Sequence, residues 1–259
     1  MKIFKKILPV IMLFCFIIQL SVAGSLNDKP VQKKVLVLTE RGGLHEGFVV
    51  AALNWLQEFA QKNKLELRVI NHPREIENEN LNVYRLFIQL NYPPYNWTDK
   101  TMSAFEKYID EGSGGWIGFH HATLLGEFDG YPLWKWFSDF MGEILFKNYI
   151  ARKATANVYI ENRKHPVMKN LPEVFSVPND EWYTFDKSPR GKVNVLANVD
   201  ENSYQPASDI KMGDHPVIWS NENKKARNVY FLMGHGEELL RNEAFTTMFA
   251  NAIVWALKN

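Results

Sequence analysis

Lys33-Lys34-Val35-Leu36-Val37-Leu38-Thr39 is a short, unbroken apolar run behind two lysines. A strand with one wet face alternates apolar and polar residues; a strand covered on both faces need not. The run therefore predicts a central strand of a parallel sheet. Working outward, Gly42-Gly43 turns the chain, and Phe48, Ala51, Ala52, Trp55, Leu56 and Phe59 recur at helical spacing. Leu65–Ile70 and Tyr84–Leu90 read as the next strands, the latter ending in Asn91-Tyr92-Pro93-Pro94. Thr98 is placed to cap a helix in which Met102, Phe105, Tyr108 and Ile109 share a face, and glycines at 112, 114 and 115 end it. Residues 116–119 form a fourth strand that runs into His120-His121-Ala122. Strands alternating with helices across short links imply an α/β domain, a mostly parallel sheet with helices on both faces.

The second half is less regular. Residues 154–160, 193–197, 217–219 and 229–233 read as strands, and 245–257 as a closing amphipathic helix. Residues 73–82 are polar and short, a poor helix. The economical expectation is one domain, 33–259, carrying a β-rich insertion.

The 259 residues are 46% hydrophobic and 23% charged, which excludes a largely disordered chain. Thirty basic residues against 29 acidic ones give a net charge of +1, so no basic field exists to gather nucleic acid. Lys2, Lys5 and Lys6, the apolar run 7–20 and Ser21-Val22-Ala23 together read as a secretory signal peptide, residues 1–23, followed by a polar linker, 24–32. The alternative is an uncleaved anchor, although 14 apolar residues are short for a bilayer. Cleavage predicts an exported protein, periplasmic or extracellular, with no stable membrane span. It would leave 259 − 23 = 236 residues and remove three lysines, taking the charge to −2. The only cysteine, Cys15, would go with the signal, and with it any thiolate ligand, thiol nucleophile or disulfide.

In open α/β sheets, ligands bind beyond the C-terminal ends of the strands. Four such ends are legible: Glu40-Arg41-Gly42-Gly43-Leu44-His45, then Asn91-Tyr92, then His120-His121, then Gly234-His235-Gly236-Glu237. Three of the four carry a histidine, out of seven in the chain. Imidazole titrates near neutrality and is a common neutral metal ligand. Gly118-Phe119-His120-His121-Ala122 has the spacing of a strand-to-helix elbow that projects a nucleophile, with His120 at what would be an exposed apex. There, His120 would serve as general base or ligand.

Asn179-Asp180-Glu181-Trp182-Tyr183 is a second cluster. Alternation along an extended segment puts Glu181 and Tyr183 on one side, Asp180 and Trp182 on the other. His72, His165 and His215 each precede proline and read as turn elements.

These pieces, taken in order, resemble the ThuA-like (trehalose utilisation) family. The matching residues are Val35-Leu36-Val37-Leu38 with His45, and Gly114-Gly115-Trp116-Ile117-Gly118-Phe119-His120. They continue with His165-Pro166-Val167-Met168-Lys169-Asn170-Leu171-Pro172, Asp180-Glu181-Trp182-Tyr183, Val229-Tyr230-Phe231-Leu232-Met233-Gly234-His235 and Trp255-Ala256. The resemblance implies a flavodoxin-like fold similar to class I glutamine amidotransferases. It does not imply their mechanism, because the elbow cysteine is replaced by His120; His235 falls roughly where their histidine would. His121 stands where the family pattern implies a small residue. The resemblance also implies disaccharide or oxidised-sugar catabolism.

The expectation is an enzyme acting on a small-molecule carbohydrate, a glycoside or a keto-sugar, as a lyase, isomerase or hydrolase. His120, His235 and Glu181 would carry acid–base chemistry, and His45, Asn91, His121 and Tyr183 would bind substrate. In a metal-assisted version, His45, His120 and His235, with Glu181 as a fourth ligand, would hold zinc or a similar divalent ion. The rival readings are a non-catalytic sugar-binding protein, suited to the 14% aromatic content, and a structural or partner-binding domain.

Overall fold

The computed structural model describes residues 32–150 and 153–258. The expected signal peptide and all but the last residue of the linker lie outside the described residues. The elements follow in the order β1 (Lys33–Thr39), α1 (Glu46–Asn63), β2 (Leu65–Ile70), β3 (Tyr84–Leu90), α2 (Asp99–Glu111), β4 (Gly115–Phe119) and α3 (Lys135–Phe140). Next come β5 (Phe146–Tyr149), β6 (Ala154–Ile160), β7 (Val174–Asp180), β8 (Tyr183–Phe185), β9 (Asn194–Val199), β10 (Pro216–Ser220), β11 (Asn228–Phe231) and α4 (Glu243–Ala256).

Nine strands form one sheet, ordered β2-β1-β3-β4-β11-β10-β9-β6-β7. The first five are parallel, and the rest continue antiparallel. β5 and β8 pair separately. The 2-1-3-4 order is that of flavodoxin-like sheets, and its direction reverses between β1 and β3, where a crevice opens at the strand ends. Val35 to Thr39 are all buried, as the unbroken run predicts.

Helices cover both faces. Phe48 of α1 and Phe249 of α4 pack on Phe119 of β4. Phe105 of α2 packs on Phe87 of β3, and Phe137 of α3 on Trp116 of β4. Thr98 caps α2 by accepting from the Thr101 N–H at 3.3 Å, and Gly112 ends the helix at φ 72°. Gly118 is required by its neighbour: a Cβ there would lie 2.2 Å from the Trp116 ring. That indole donates to Gln89 at 3.2 Å inside the core.

The structure bears out one expectation, adds a strand and corrects another expectation. The β-rich insertion expected in the second half is present: β10, β9, β6 and β7, which fall between β4 and β11 in sequence, prolong the main sheet. β7 escapes the apolar pattern because it contains Pro178; as the outermost strand it has a free edge, where a missing N–H is tolerated. His120 does not lead into an α-helix. A single 3-10 turn, His120–Thr123, follows, and α3, only six residues long, begins at Lys135. No helix among the described residues is long and apolar enough to cross a membrane.

Candidate active site

Each parallel strand end presents its side chain by a different local device. After β1, Gly42 and Gly43 both take positive φ, 78° and 74°, and swing the chain so that His45 opens α1. The His45 side chain makes no cap hydrogen bond; its ring turns inward and is 8% exposed. After β4, His120 sits at φ 41°, the left-handed region that side chains avoid. Its carbonyl accepts from the hydroxyls of Tyr230 (2.9 Å) and Thr123 (3.1 Å), which hold it there. After β11, Gly234-His235 follows the same sheet edge. A Cβ on Gly234 would come within 2.9 Å of the His120 Cβ, so only glycine fits between them.

The fourth component comes from the antiparallel half. Between β7 and β8 the chain leaves the main sheet for the small one, and Glu181 occupies that bend. The buried Asp180 carboxylate accepts from the backbone N–H groups of Glu181 (2.7 Å), Gly234 (3.2 Å) and His235 (3.3 Å). One side chain thereby ties the β7 end to the β11 end.

The imidazoles converge on Glu181. Its Oε2 lies 3.3 Å from His120 Nε2, 3.6 Å from His235 Nδ1 and 4.0 Å from His45 Nε2. These four atoms all lie within 4.8 Å of one another. On the other side of His45, Glu40 Oε2 sits 3.9 Å from His45 Nδ1 and 2.8 Å from His121 Nδ1, the latter not aligned as a hydrogen bond. The Tyr183 ring stacks on His120 at 4.2 Å. Behind it, His215 donates to the Tyr183 carbonyl at 2.8 Å and pairs with Glu201 at 2.9 Å.

His120 Nδ1 lies 2.8 Å from the Leu232 carbonyl. A carbonyl only accepts, so Nδ1 carries the proton and Nε2 keeps its lone pair in the neutral ring. Burial lowers His120 to about 4, against the pull of Glu181, and lowers His45 to about 2, aided by His121, His120 and His235. Both rings are therefore neutral at pH 7. Burial alone would raise the Glu181 carboxyl, but His120 and His235 outweigh it and hold it below the usual carboxylate range. Burial pushes the Asp180 carboxyl up to about 7 despite its three N–H donors, and raises the Tyr183 phenol.

The structure thus brings His45, His120, His235, Glu181 and Tyr183 together, with His121 at the margin. One particular differs from expectation. The elbow apex is not exposed: His120 is 0% accessible. Asn91 keeps its Oδ1 buried without a partner. It is fully buried at φ 54° and donates its amide to the Gly234 carbonyl at 2.6 Å, bracing the turn.

His72 and His165 cap 3-10 turns, in line with their place before proline, but His215 is buried beneath Tyr183. Glu40 is the site residue that sequence reasoning misses, although its place directly after β1 is a usable signal. A cavity of about 360 Å³ lined by Lys147, Asn148, Thr184, Asp186 and Asp209 holds none of these imidazoles. Convergence of titratable groups marks the site, not size.

The fold and cluster define a class: a flavodoxin-like α/β protein with a His/Glu centre at the C-terminal ends of its parallel strands. The chain belongs to the ThuA family, described as trehalose utilisation, whose sequence model matches residues 34–256. A crystal structure of a ThuA-like protein from Bacteroides uniformis is similar, with 30% identity and a TM-score of 0.77 over 86% of this chain and 91% of that one. A ThuA-like protein from Parabacteroides merdae shares 16% identity, with a TM-score of 0.67 over 87% and 90%. A cytoplasmic protein from Salmonella typhimurium shares the fold at 11% identity and a TM-score of 0.57, over 86% and 98%. No curated protein matches the chain. The family points to a carbohydrate-related role.

Proposed function

We propose that the protein is an exported carbohydrate-catabolic enzyme acting on a glycoside or a keto-sugar by His/Glu acid–base chemistry. The observation that carries this reading is the meeting of three imidazoles from three strand ends with one carboxylate from the opposite half of the sheet. A keto group makes its α-protons acidic enough for such a cluster to remove, so elimination, hydration or isomerisation would need no nucleophile. Glu40 places a second carboxyl group on the other side of His45 from Glu181.

The space among the four donor atoms holds one atom, not a sugar. Substrate must therefore approach from the solvent side, where Glu40 and His121 lie with side chains 26% and 12% exposed. Close enough to Glu40 to feel its charge, Tyr95 stacks with Phe128 at 5.4 Å and Tyr131 at 6.2 Å. Tyr131 is 39% exposed, and such a shelf suits the C–H face of a sugar ring. Trp116, Trp182 and Trp219 do not serve this purpose, because they are wholly buried.

The test is turnover of disaccharides and their 3-keto forms by wild type, His120→Ala and Glu181→Gln. Product formation by wild type, abolished in both variants, is the expected result. Saturable sugar binding with no product from any substrate would replace the enzyme by a sugar-binding module.

A further inference from the structure

His120 Nε2, His45 Nε2 and His235 Nδ1 face the Glu181 carboxylate, and the last two are buried with no hydrogen-bond partner. Buried polar atoms left unmatched are costly, so something should satisfy them. A proton is insufficient: it could bridge His120 and Glu181 at 3.3 Å, but 3.6 and 4.0 Å are too long for the other two nitrogens. A water molecule is a poor fit. Held tetrahedrally at ordinary hydrogen-bond length, it would need ligand atoms about 4.6 Å apart. A divalent cation bound to imidazole nitrogen and carboxylate oxygen at roughly 2.05 Å sets its tetrahedral edges at about 3.4 Å. Two of the edges to Glu181, 3.3 and 3.6 Å, are nearer the cation's value, and the third, 4.0 Å, lies midway between the two.

The geometry points to a divalent transition-metal site of the zinc type, with His45 Nε2, His120 Nε2, His235 Nδ1 and Glu181 Oε2 as its ligands.

The surroundings have the character of an outer shell. A metal-binding imidazole usually directs its other nitrogen to a carbonyl or carboxylate, which fixes the tautomer. His120 does so through Leu232 at 2.8 Å, and the far nitrogen of His45 faces Glu40 at 3.9 Å. Three imidazoles and one carboxylate, with no thiolate, suit zinc and its first-row neighbours rather than calcium or magnesium. Glu181 is the ligand nearest solvent, its side chain 16% exposed, so an added ligand would arrive on its side. There the ion could polarise a sugar carbonyl as a Lewis acid. This last role rests on the proposed function; binding of the ion does not.

The test is calorimetric titration of the chelator-stripped full chain with zinc chloride, with cobalt(II) absorption as a second readout of coordination. One ion per chain is expected, with the four-coordinate cobalt spectrum. His235→Asn and Glu181→Gln should each weaken binding at least about tenfold, and His165→Gln should leave it unchanged. Absence of saturable binding by the wild type overturns the site without needing any variant. So does binding that survives His120→Ala and His235→Asn together. Loss in His121→Ala with retention in His235→Asn would place the ion among Glu40, His45 and His121, and also overturns the assignment. Sugar turnover persisting in the stripped protein would refute the metal's role but not the enzyme; a bound ion without turnover would do the reverse.

Discussion

The parallel and antiparallel halves of the sheet differ in how they are built and in what they contribute. Strands β1, β3, β4 and β11 are buried along nearly their whole length, and three of their four ends deliver an imidazole. Strands β6 and β7 alternate between buried and open positions, and their half delivers Glu181. The parallel half provides the imidazoles, among them the neutral rings of His45 and His120; the antiparallel half provides the negative charge. Neither half holds the site alone, so the chemistry depends on the seam between β7 and β11.

The largest effect should come from cutting that seam. Asp180→Ala would leave the N–H groups of Glu181, Gly234 and His235 without their acceptor. A loss of about 3 kcal/mol or more is expected in urea unfolding. A loss below roughly 1 kcal/mol would show that the halves are joined by something else.

Glu181→Gln removes the antiparallel half's charge while keeping its shape. Turnover should fall at least about 100-fold, roughly 2.7 kcal/mol in the barrier, with the melting temperature little changed. Comparable activity in this variant would mean that the parallel half suffices.

Gly118→Ala probes the parallel half away from the chemistry. The new methyl would meet the Trp116 ring, so destabilisation of about 1–3 kcal/mol is expected in urea unfolding. Any zinc stoichiometry of the wild type should survive.

The smallest effect concerns acid. His165, in the loop between β6 and β7, is lowered from 6.5 to about 4 by burial, its ring against Trp255. The unfolded chain takes up the proton first, so this histidine's contribution is complete above pH 6.5 and is withdrawn as pH falls toward 4. His165→Gln should flatten the stability profile over that interval, read by thermal unfolding at stepped pH. An unchanged slope would move the acid sensitivity to other groups.

Legibility from sequence follows the same division only in part. Unbroken apolar runs announce the parallel strands, and where each run stops, the residues at its end can be named directly. Among the antiparallel strands of the main sheet, β6, β9 and β10 are legible too, whereas β7, interrupted by Pro178, resembles a loop. Asp180-Glu181-Trp182-Tyr183 is visible as a cluster, yet only the bend between two sheets makes Glu181 face the histidines. His165-Pro166-Val167 and His215-Pro216-Val217 are alike in sequence, but one caps a turn and the other lies against Glu201 under Tyr183. That difference comes from a partner 14 residues away, which local spacing does not encode.

The late arrival of β11 has a consequence for biosynthesis. Of the strands described, it is the last to be translated, yet it inserts between β4 and β10 near the middle of the sheet. A nascent polypeptide still short of it therefore has a gap at its centre and no third imidazole. The His/Glu cluster is complete only once that strand has emerged.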